Sequence, residues 1–437
     1  MFTFPGGVHP PHNKELTAGK KIETMPVPAR VVIPLSQHTG KPAKPIVKVN
    51  DAVKTGQKIA EPDGLISLPV HSSISGTVTE FARLPSPLGI ETDSVVIQAD
   101  GRDEYFKDFH AQGAQKNYIY LSGDEIRAMI REAGIAGLGG AAFPTHVKLN
   151  PPENREIDTV IINGCECEPY LTCDHSLMLE YPHELVEGLK IIMCLVKADR
   201  GVIAIEDNKK DAIRIVSGII KREPNVDLAV VKTKYPQGAE KQLIYSILSR
   251  KVPAGKLPFE VGVVVDNVGT AVAVKDAVVR GRPLFERVIT VTGDGIKEKK
   301  NLRVRIGTTF KDVIQYCGGF TAEPAKVISG GPMMGIAQYT LEVPVIKGTS
   351  AILVLNSPEK PSAEMPCIRC GRCVDNCPMK LFPYAVYRNT SYGRWAEIKK
   401  YDVFDCMECG ACSYGCPAGL QLVQAIKISK SRLSAEK

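Results

Sequence analysis

A chain of 437 residues, 44% hydrophobic and 24% charged, has the composition of an ordinary globular protein with room for roughly three domains. The net charge of +7 is mild; it would suit an acidic partner or anionic lipid, but scattered Lys and Arg usually form a solvated surface, and no basic-aromatic interleaving points to nucleic acid. No stretch approaches about 18 consecutive apolar residues, and the opening Met1-Phe2-Thr3-Phe4-Pro5-Gly6-Gly7 lacks a basic segment followed by an apolar one, so neither a spanning helix nor a signal peptide is expected.

Residues 1 to about 108 carry short apolar runs, Ala29–Ile33, Pro45–Val49 and Ser94–Gln98, separated by turn signals such as Pro62-Asp63-Gly64, the pattern of a small all-β module. Val53–Ile59 and Ser73–Val78 resemble the hammerhead strands of biotinyl and lipoyl domains. The segment between them offers Ile66, Ser67 and Leu68 but no carrier lysine, so no prosthetic group is expected there. The histidines of this region, His9, His12, His38 and His71, read as surface or core residues rather than ligands.

From about residue 120 the period changes. Ser122-Gly123-Asp124-Glu125 predicts a capping box ahead of a helix bearing Ile126, Met129, Ile130 and Ala133 on one face. Strand-like runs then alternate with helical patterns. Thr159–Ile162, Val202–Ile205, Leu228–Val231 and Val261–Val265 each precede a helix: Leu185 to Val196, Lys209–Lys221, Glu240–Leu248 and Ala271–Val279. That order predicts a Rossmann-like parallel sheet covered on both faces. Arg287–Thr292, a short helix near Phe310–Tyr316, Val327–Pro332 and Ala351–Leu355 suit a β-grasp module, and Pro358, Pro361 and Pro366 mark a linker. Leu381–Arg388, Trp395–Lys400 and Leu420–Leu433 predict short helices in the last module.

That module holds Cys367-x-x-Cys370-x-x-Cys373-x-x-x-Cys377-Pro378 and Cys406-x-x-Cys409-x-x-Cys412-x-x-x-Cys416-Pro417. Each matches the pattern that holds a cubane iron–sulfur cluster, in which three cysteines wrap one cube and the fourth ligates the other. One 4Fe-4S cluster is therefore assigned to Cys367, Cys370, Cys373 and Cys416, and its neighbour to Cys377, Cys406, Cys409 and Cys412. Structural zinc usually shows two C-x-x-C pairs without the closing proline. The other five cysteines, Cys165, Cys167, Cys173, Cys194 and Cys317, are an odd remainder that fits reduced thiols and a cytosolic compartment.

The stretch Gly134–Lys148 is a glycine-rich loop, Gly137-Leu138-Gly139-Gly140, whose backbone could approach an anion with Lys148 to neutralise it; it matches neither the dinucleotide fingerprint nor a Walker loop. The strand ending at Ile162 runs into Asn163-Gly164-Cys165-Glu166-Cys167-Glu168-Pro169-Tyr170, placed where ligands bind in doubly wound sheets. A solvated acidic loop, or an ion held by Cys165, Cys167 and Cys173, are the other readings of that segment.

Gly137–Lys148, Asn163–Pro169, Tyr235-x-x-Gly238 and Asp266-Asn267-Val268-Gly269-Thr270 together resemble the flavin-bearing subunit of respiratory complex I. With the opening Phe4-x-Gly6-Gly7-Val8-His9-Pro10, the barrel module and the paired cysteine runs, essentially the whole chain resembles the RnfC proteins of the Rnf electron-transport complex. The resemblance implies a multidomain α/β and β protein: a barrel-sandwich β module over 1–110, an FMN- and NAD(H)-binding α/β domain over 111–284, a soluble-ligand-binding β-grasp (SLBB) domain over 285–357 and an α-helical ferredoxin-like module over 358–437. It implies that Gly137, Gly139, Gly140 and Lys148 hold the FMN phosphate region and that Asn163, Glu166, Asp266 and Asn267 lie about the flavin. Phe143 would stack near the nicotinamide nucleotide, with Glu168 and Glu240 on the NADH side and Tyr235 and Gly238 completing the wall. Cys165, Cys167, Tyr170 and Ala239 depart from the residues that the complex I proteins usually carry. The resemblance also implies a peripheral subunit on the cytoplasmic face of the membrane, moving electrons between NAD(H), FMN and two clusters. Its partners would be membrane subunits that translocate Na+ or H+, and a ferredoxin-like iron–sulfur subunit. A soluble flavin and iron–sulfur cobalamin reductase, and a scaffold that binds no nucleotide, are the alternatives.

Overall fold

Four parallel strands, in the spatial order Val226–Val231, Arg200–Glu206, Thr159–Gly164 and Val263–Asn267, form the central sheet of a computed structural model that describes residues 2–107, 117–356 and 364–435. The domain boundaries expected at 110/111 and 357/358, with Pro358 and Pro361, lie outside the described residues. Alternate side chains of each strand serve opposite faces. Val160, Ile162, Ile203 and Val264 meet the helices Gly123–Glu132, Cys173–Glu180, Pro182–Val196, Lys210–Ile220 and Val268–Arg280. Ile161, Val202, Ala204 and Val265 meet Glu240–Leu248. The first helix begins with the expected capping box, Ser122 Oγ accepting from Glu125 N and Glu125 Oε2 from Ser122 N. The first and fourth strands in chain order lie side by side, so the order reverses between Gly164 and Asn267 and opens a crevice at their carboxyl ends.

The barrel module is a sandwich of two antiparallel sheets, Arg30–Pro34, Glu91–Ala99, Gly76–Pro85 and Ala52–Val53 against Lys44–Pro45, Lys58–Glu61 and Val70–His71. The run Pro45–Val49 contributes only its first residue to a strand, because the chain turns at Val49–Asn50 with Asn50 at φ 75°. The β-grasp sheet has six strands: Ile22–Thr24, Lys300–Arg305, Glu286–Thr292, Ala351–Leu355, Lys326–Ser329 and Ile336–Ala337. Phe310, Val313 and Ile314 of its helix Phe310–Tyr316 pack in its core.

The edge strand Ile22–Thr24 comes from the chain's first residues, which leave the barrel and travel over the other three units. Phe2 bridges Val231 at the edge of the central sheet, and Val8 N donates to Tyr235 O at 2.8 Å. Gly7 N donates to Asn376 O in the cysteine-rich module at 2.9 Å, and Tyr170 N donates to His12 O. That module is helical as expected, with Pro383–Ser391 packed against Leu422–Ala435 around Val386, Ile398, Val403 and Ile426.

Candidate functional site

The glycine-rich loop lies over the crevice. Gly137 N donates to Phe143 O at 2.8 Å and Leu138 N to Thr270 Oγ1 at 2.9 Å, so the loop is pinned at both ends of Gly137–Phe143. A Cβ at Gly139 would lie 3.3 Å from the Asn267 side chain, which measures how closely the loop approaches the end of the fourth strand. Gly140 adopts φ 109°, a conformation that only glycine holds at low cost. Among the described residues, the amides of Gly139, Gly140, Ala141 and Ala142 have no hydrogen-bond acceptor.

On the crevice floor Lys148 Nζ sits 2.8 Å from Glu240 Oε1 and 4.0 Å from Asp266 Oδ1. Burial works against its ammonium, but Asp266 and Glu240 outweigh that and hold the proton more firmly. Asp266 is 2% exposed, and burial lifts its carboxyl to about 6 against the pull of Lys148. Asp266 Oδ2 and Glu166 Oε2 are both buried without a hydrogen-bond partner. Glu166 Oε1 accepts from Asp174 N at 2.9 Å, and Asp174 Oδ2 accepts from Asn267 Nδ2 at 2.6 Å. Buried orphan acceptors beside a lysine and a row of free amides fit a ligand that brings both N–H or O–H donors and an anionic group, as FMN does.

The remaining expected residues lie along the other side of the Asn163–Pro169 segment. Asn163 Nδ2 donates to Gly238 O at 2.7 Å, and a Cβ at Gly238 would lie 2.3 Å from Cys165 O, so this contact requires glycine. Glu168, expected on the NADH side, has both oxygens engaged by the β-grasp loop, accepting from Met334 N at 2.8 Å and Met333 N at 3.1 Å. Burial raises its carboxyl to about 7, so the native state binds a proton more tightly than the unfolded chain. Its contribution to stability is therefore full below about pH 4.5 and is lost as pH rises through about 7. Glu168→Gln should flatten that decline, gaining on the wild type between pH 5 and 7.5 in urea-unfolding midpoints.

Tyr235 is buried, and its hydroxyl donates to Cys409 O at 2.7 Å. It forms a small core with Val8, Cys409 and Ala411, against which Cys167, Met333 and Met407 pack. The two cysteine runs fold alike: Arg369 and Gly371 in one, Glu408 and Gly410 in the other, adopt φ of 56° to 78°. Arg369 N points to Cys367 Sγ at 3.4 Å and Glu408 N to Cys406 Sγ at 3.3 Å. Cys377, from the first run, lines one pocket with Cys406, Cys409 and Cys412 of the second. Burial, together with the neighbouring thiol charges, pushes Cys409 and Cys412 up to about 12. Bare thiolates are thus disfavoured there, and the donor set fits a group whose iron takes the place of the protons. Cys367, Cys373 and Cys416 pack against a small core of Cys412, Ala418, Leu420 and Leu422, whereas Cys370 is exposed.

Cys165, Cys167 and Cys173 point to separate partners. Cys173 Sγ donates to Glu166 Oε1 at 3.3 Å, Cys165 Sγ faces Ala204 O, and Cys167 packs beside Gly238. Among the described residues no group of three or more His, Cys, Asp or Glu is gathered closely enough to hold a single metal ion. Sequence reasoning missed Asp174, Thr270 and Arg287, whose Nη2 donates to Leu138 O at 3.3 Å from the β-grasp domain. Thr270 stood in a quoted motif without a role; the others carry no local signal, because their partners are distant in the chain.

Comparison with known proteins matches all four units. Residues 2–102 match the RnfC barrel sandwich hybrid domain, 130–276 the Nuo51 FMN-binding domain, 288–337 the SLBB domain and 366–420 the 4Fe-4S dicluster domain. The RnfC protein of the Na(+)-translocating ferredoxin:NAD(+) oxidoreductase complex of Acetobacterium woodii is 45% identical over 100% of this chain and 98% of that protein. Its counterpart in the proton-translocating ferredoxin:NAD(+) oxidoreductase complex of Clostridium ljungdahlii is 47% identical over 98% and 93%. An NAD+-reducing [NiFe]-hydrogenase in its air-oxidized state shares the fold at 19% identity and a TM-score of 0.50, over 73% of this chain and 63% of that one. With such identity along its whole length and each unit matched in chain order, the chain belongs to the RnfC family of Rnf-complex proteins.

Proposed function

We propose that this chain is the NAD(H)-handling peripheral subunit of a membrane-bound ferredoxin:NAD+ oxidoreductase, exchanging electrons between NAD(H), FMN and two 4Fe-4S clusters. One observation carries the reading. The segment Tyr235–Gly238 touches the crevice through Gly238 O and Asn163 at one end, and the cluster ligand Cys409 through the Tyr235 hydroxyl at the other. The Cα atoms of Tyr235 and Gly238 lie at most about 11 Å apart and the tyrosine side chain reaches roughly 6 Å further, so crevice and cluster pocket are neighbours. Bound FMN would supply the ability to accept one hydride, with its two electrons, and to pass them on singly to the clusters.

The chain's own residues bind and orient. The amides of Gly139 to Ala142 and the Lys148 ammonium meet the phosphate region. Asp266 and Glu166 accept from the ring or ribityl donors, and Asn163 and Asn267 fix the strand ends beneath. On this reading Phe143 of the loop and Glu240 beside Lys148 are the residues that NAD(H) would meet. Hydride transfer asks for no side-chain acid or base, and none is assigned. Cys367, Cys370, Cys373 and Cys416 hold the outer cluster, and Cys377, Cys406, Cys409 and Cys412 the one beside Tyr235.

Among the described residues no helix is long and apolar enough to cross a membrane. On this reading the protein docks at the cytoplasmic face on membrane partners that translocate Na+ or H+, near a ferredoxin-like iron–sulfur subunit. Anaerobic reconstitution should give about eight iron atoms and about one FMN per chain, with both flavin and cluster absorbance bleached by NADH. Cluster-loaded protein that takes up no FMN and does not bleach would overturn the reading.

A further inference from the structure

The barrel module meets the glycine-rich loop at one place. Two of its loops are zipped together there: Lys41 N donates to Ile66 O at 3.0 Å, Ser67 Oγ to Lys41 O at 2.9 Å, and Leu68 N to His38 Nε2 at 3.1 Å. A Cβ at Gly40 would lie 2.1 Å from Ile66 O, so the loops touch backbone to backbone. The pad they form presses on the glycine-rich loop. Leu68, fully buried, packs against Ala136 and Ala142, which flank the glycines. Thr39 N donates to Ala142 O at 3.1 Å and Thr39 Oγ1 to Ala141 O at 2.9 Å.

Peptide geometry makes this contact matter for the loop's amides. In a planar trans peptide the C=O and N–H point in opposite directions, so anchoring the Ala141 carbonyl on the barrel aims the Ala142 amide away from it. Ala142 adopts φ 49°, a conformation that an alanine holds only where its surroundings enforce it. The contacts that enforce it include these from the barrel. The hairpin that would carry a prosthetic group in a biotinyl-like domain is here the pad, with Leu68 turned into the interface.

We propose that the barrel module is a positioning element of the phosphate-binding loop. Thr39 holds the carbonyls of Ala141 and Ala142 and Leu68 packs behind Ala136 and Ala142, so that the free amides of Gly139 to Ala142 stay available to the phosphate of FMN. The inference rests on the flavin reading above and gives the barrel a share in cofactor specificity: it acts on the phosphate, not on the ring.

Full-length Thr39→Val and Thr39→Ser test it by two measurements. In flavin-free protein, exchange of the Gly137 and Leu138 amides, whose acceptors Phe143 O and Thr270 Oγ1 close the loop, should quicken about three- to tenfold in Thr39→Val, the effect of one lost hydrogen bond, and return to the wild-type rate in Thr39→Ser. In titrations followed by flavin fluorescence, Thr39→Val should bind FMN about three- to tenfold more weakly, with riboflavin, which lacks the phosphate, unaffected. Equal loss of FMN and riboflavin affinity, or exchange and FMN binding unchanged from wild type, overturns the proposal. If the wild type itself takes up no FMN, the flavin reading falls, and the exchange rates alone decide whether the barrel holds the loop.

Discussion

Cys377→Ala is expected to empty the pocket of the later cysteine run while sparing the cluster of its own. Cys377 belongs by position to the first run, yet it lines the same cavity as Cys406, Cys409 and Cys412, with Met407, Val423 and Ile426 closing the walls. A cube that loses one of four thiolates in so buried a site has no water or carboxylate ready to replace it, so iron should fall from about eight to about four per chain. The pocket that empties is the one joined to Tyr235 through Cys409 O. NADH should then still reduce the flavin but no longer the surviving cluster, although dithionite does. Cys416→Ala should show the converse, losing the outer cluster while NADH still bleaches the inner one. Anaerobic NADH titration followed by visible absorbance and EPR separates the two variants. If NADH bleaches a cluster in Cys377→Ala but not in Cys416→Ala, the ligand sets are not crossed.

The second large effect is expected at the other end of the chain. Gly7 lies at φ 82° with its amide on Asn376 O, and a Cβ there would sit 2.6 Å from Tyr235 O and 2.9 Å from the Lys234 side chain. Its neighbour Gly6, at φ 84°, would place a Cβ 2.9 Å from Cys377 O. The nearest atom, the Tyr235 carbonyl oxygen, is backbone and cannot step aside, so Gly7→Val combines a strained backbone with a collision, a cost of about 2–4 kcal/mol. That cost falls on the contact between the cluster module and the α/β domain, shifting their docking by roughly 30- to 700-fold at 1.4 kcal/mol per tenfold. Stopped-flow mixing with NADH should show the flavin reduced at the wild-type rate and cluster bleaching slowed, with iron content unchanged. Gly218→Ala, where a Cβ meets nothing within 4 Å, is the control. Wild-type bleaching in Gly7→Val would mean that the arm does not hold the two units together.

What was legible in the sequence is what short-range chemistry writes. The cysteine spacing marked the 4Fe-4S dicluster domain because its C-x-x-C-x-x-C signal lies within one tight turn. The capping box at Ser122 and the helix Glu240–Leu248 were readable because each meets its signal within a few residues. The helix Cys173–Glu180 was not. Cys173, His175, Ser176, Leu177 and Met178 are all buried, so no apolar stripe distinguishes one side from another. The strand Ile22–Thr24 was missed because it is a short, mostly polar edge strand that takes its identity from Lys300–Arg305, far along the chain. Within the site, the glycines and Lys148 announced an anion loop, while Thr39, Asp174 and Arg287 act through partners that only the fold brings near.

The route of the first residues also dictates an order of assembly. Phe2, Gly7 and His12 must find Val231, Asn376 and Tyr170, and Ile22–Thr24 must find Lys300–Arg305. During synthesis the opening segment can meet Tyr170 and Val231 only once the α/β domain is made and Lys300–Arg305 later still, and its contact at Asn376 closes only after the cysteine-rich module has left the ribosome. The earliest part of the chain is thus the last to be fastened, a seal applied once iron-binding loops and nucleotide crevice stand side by side.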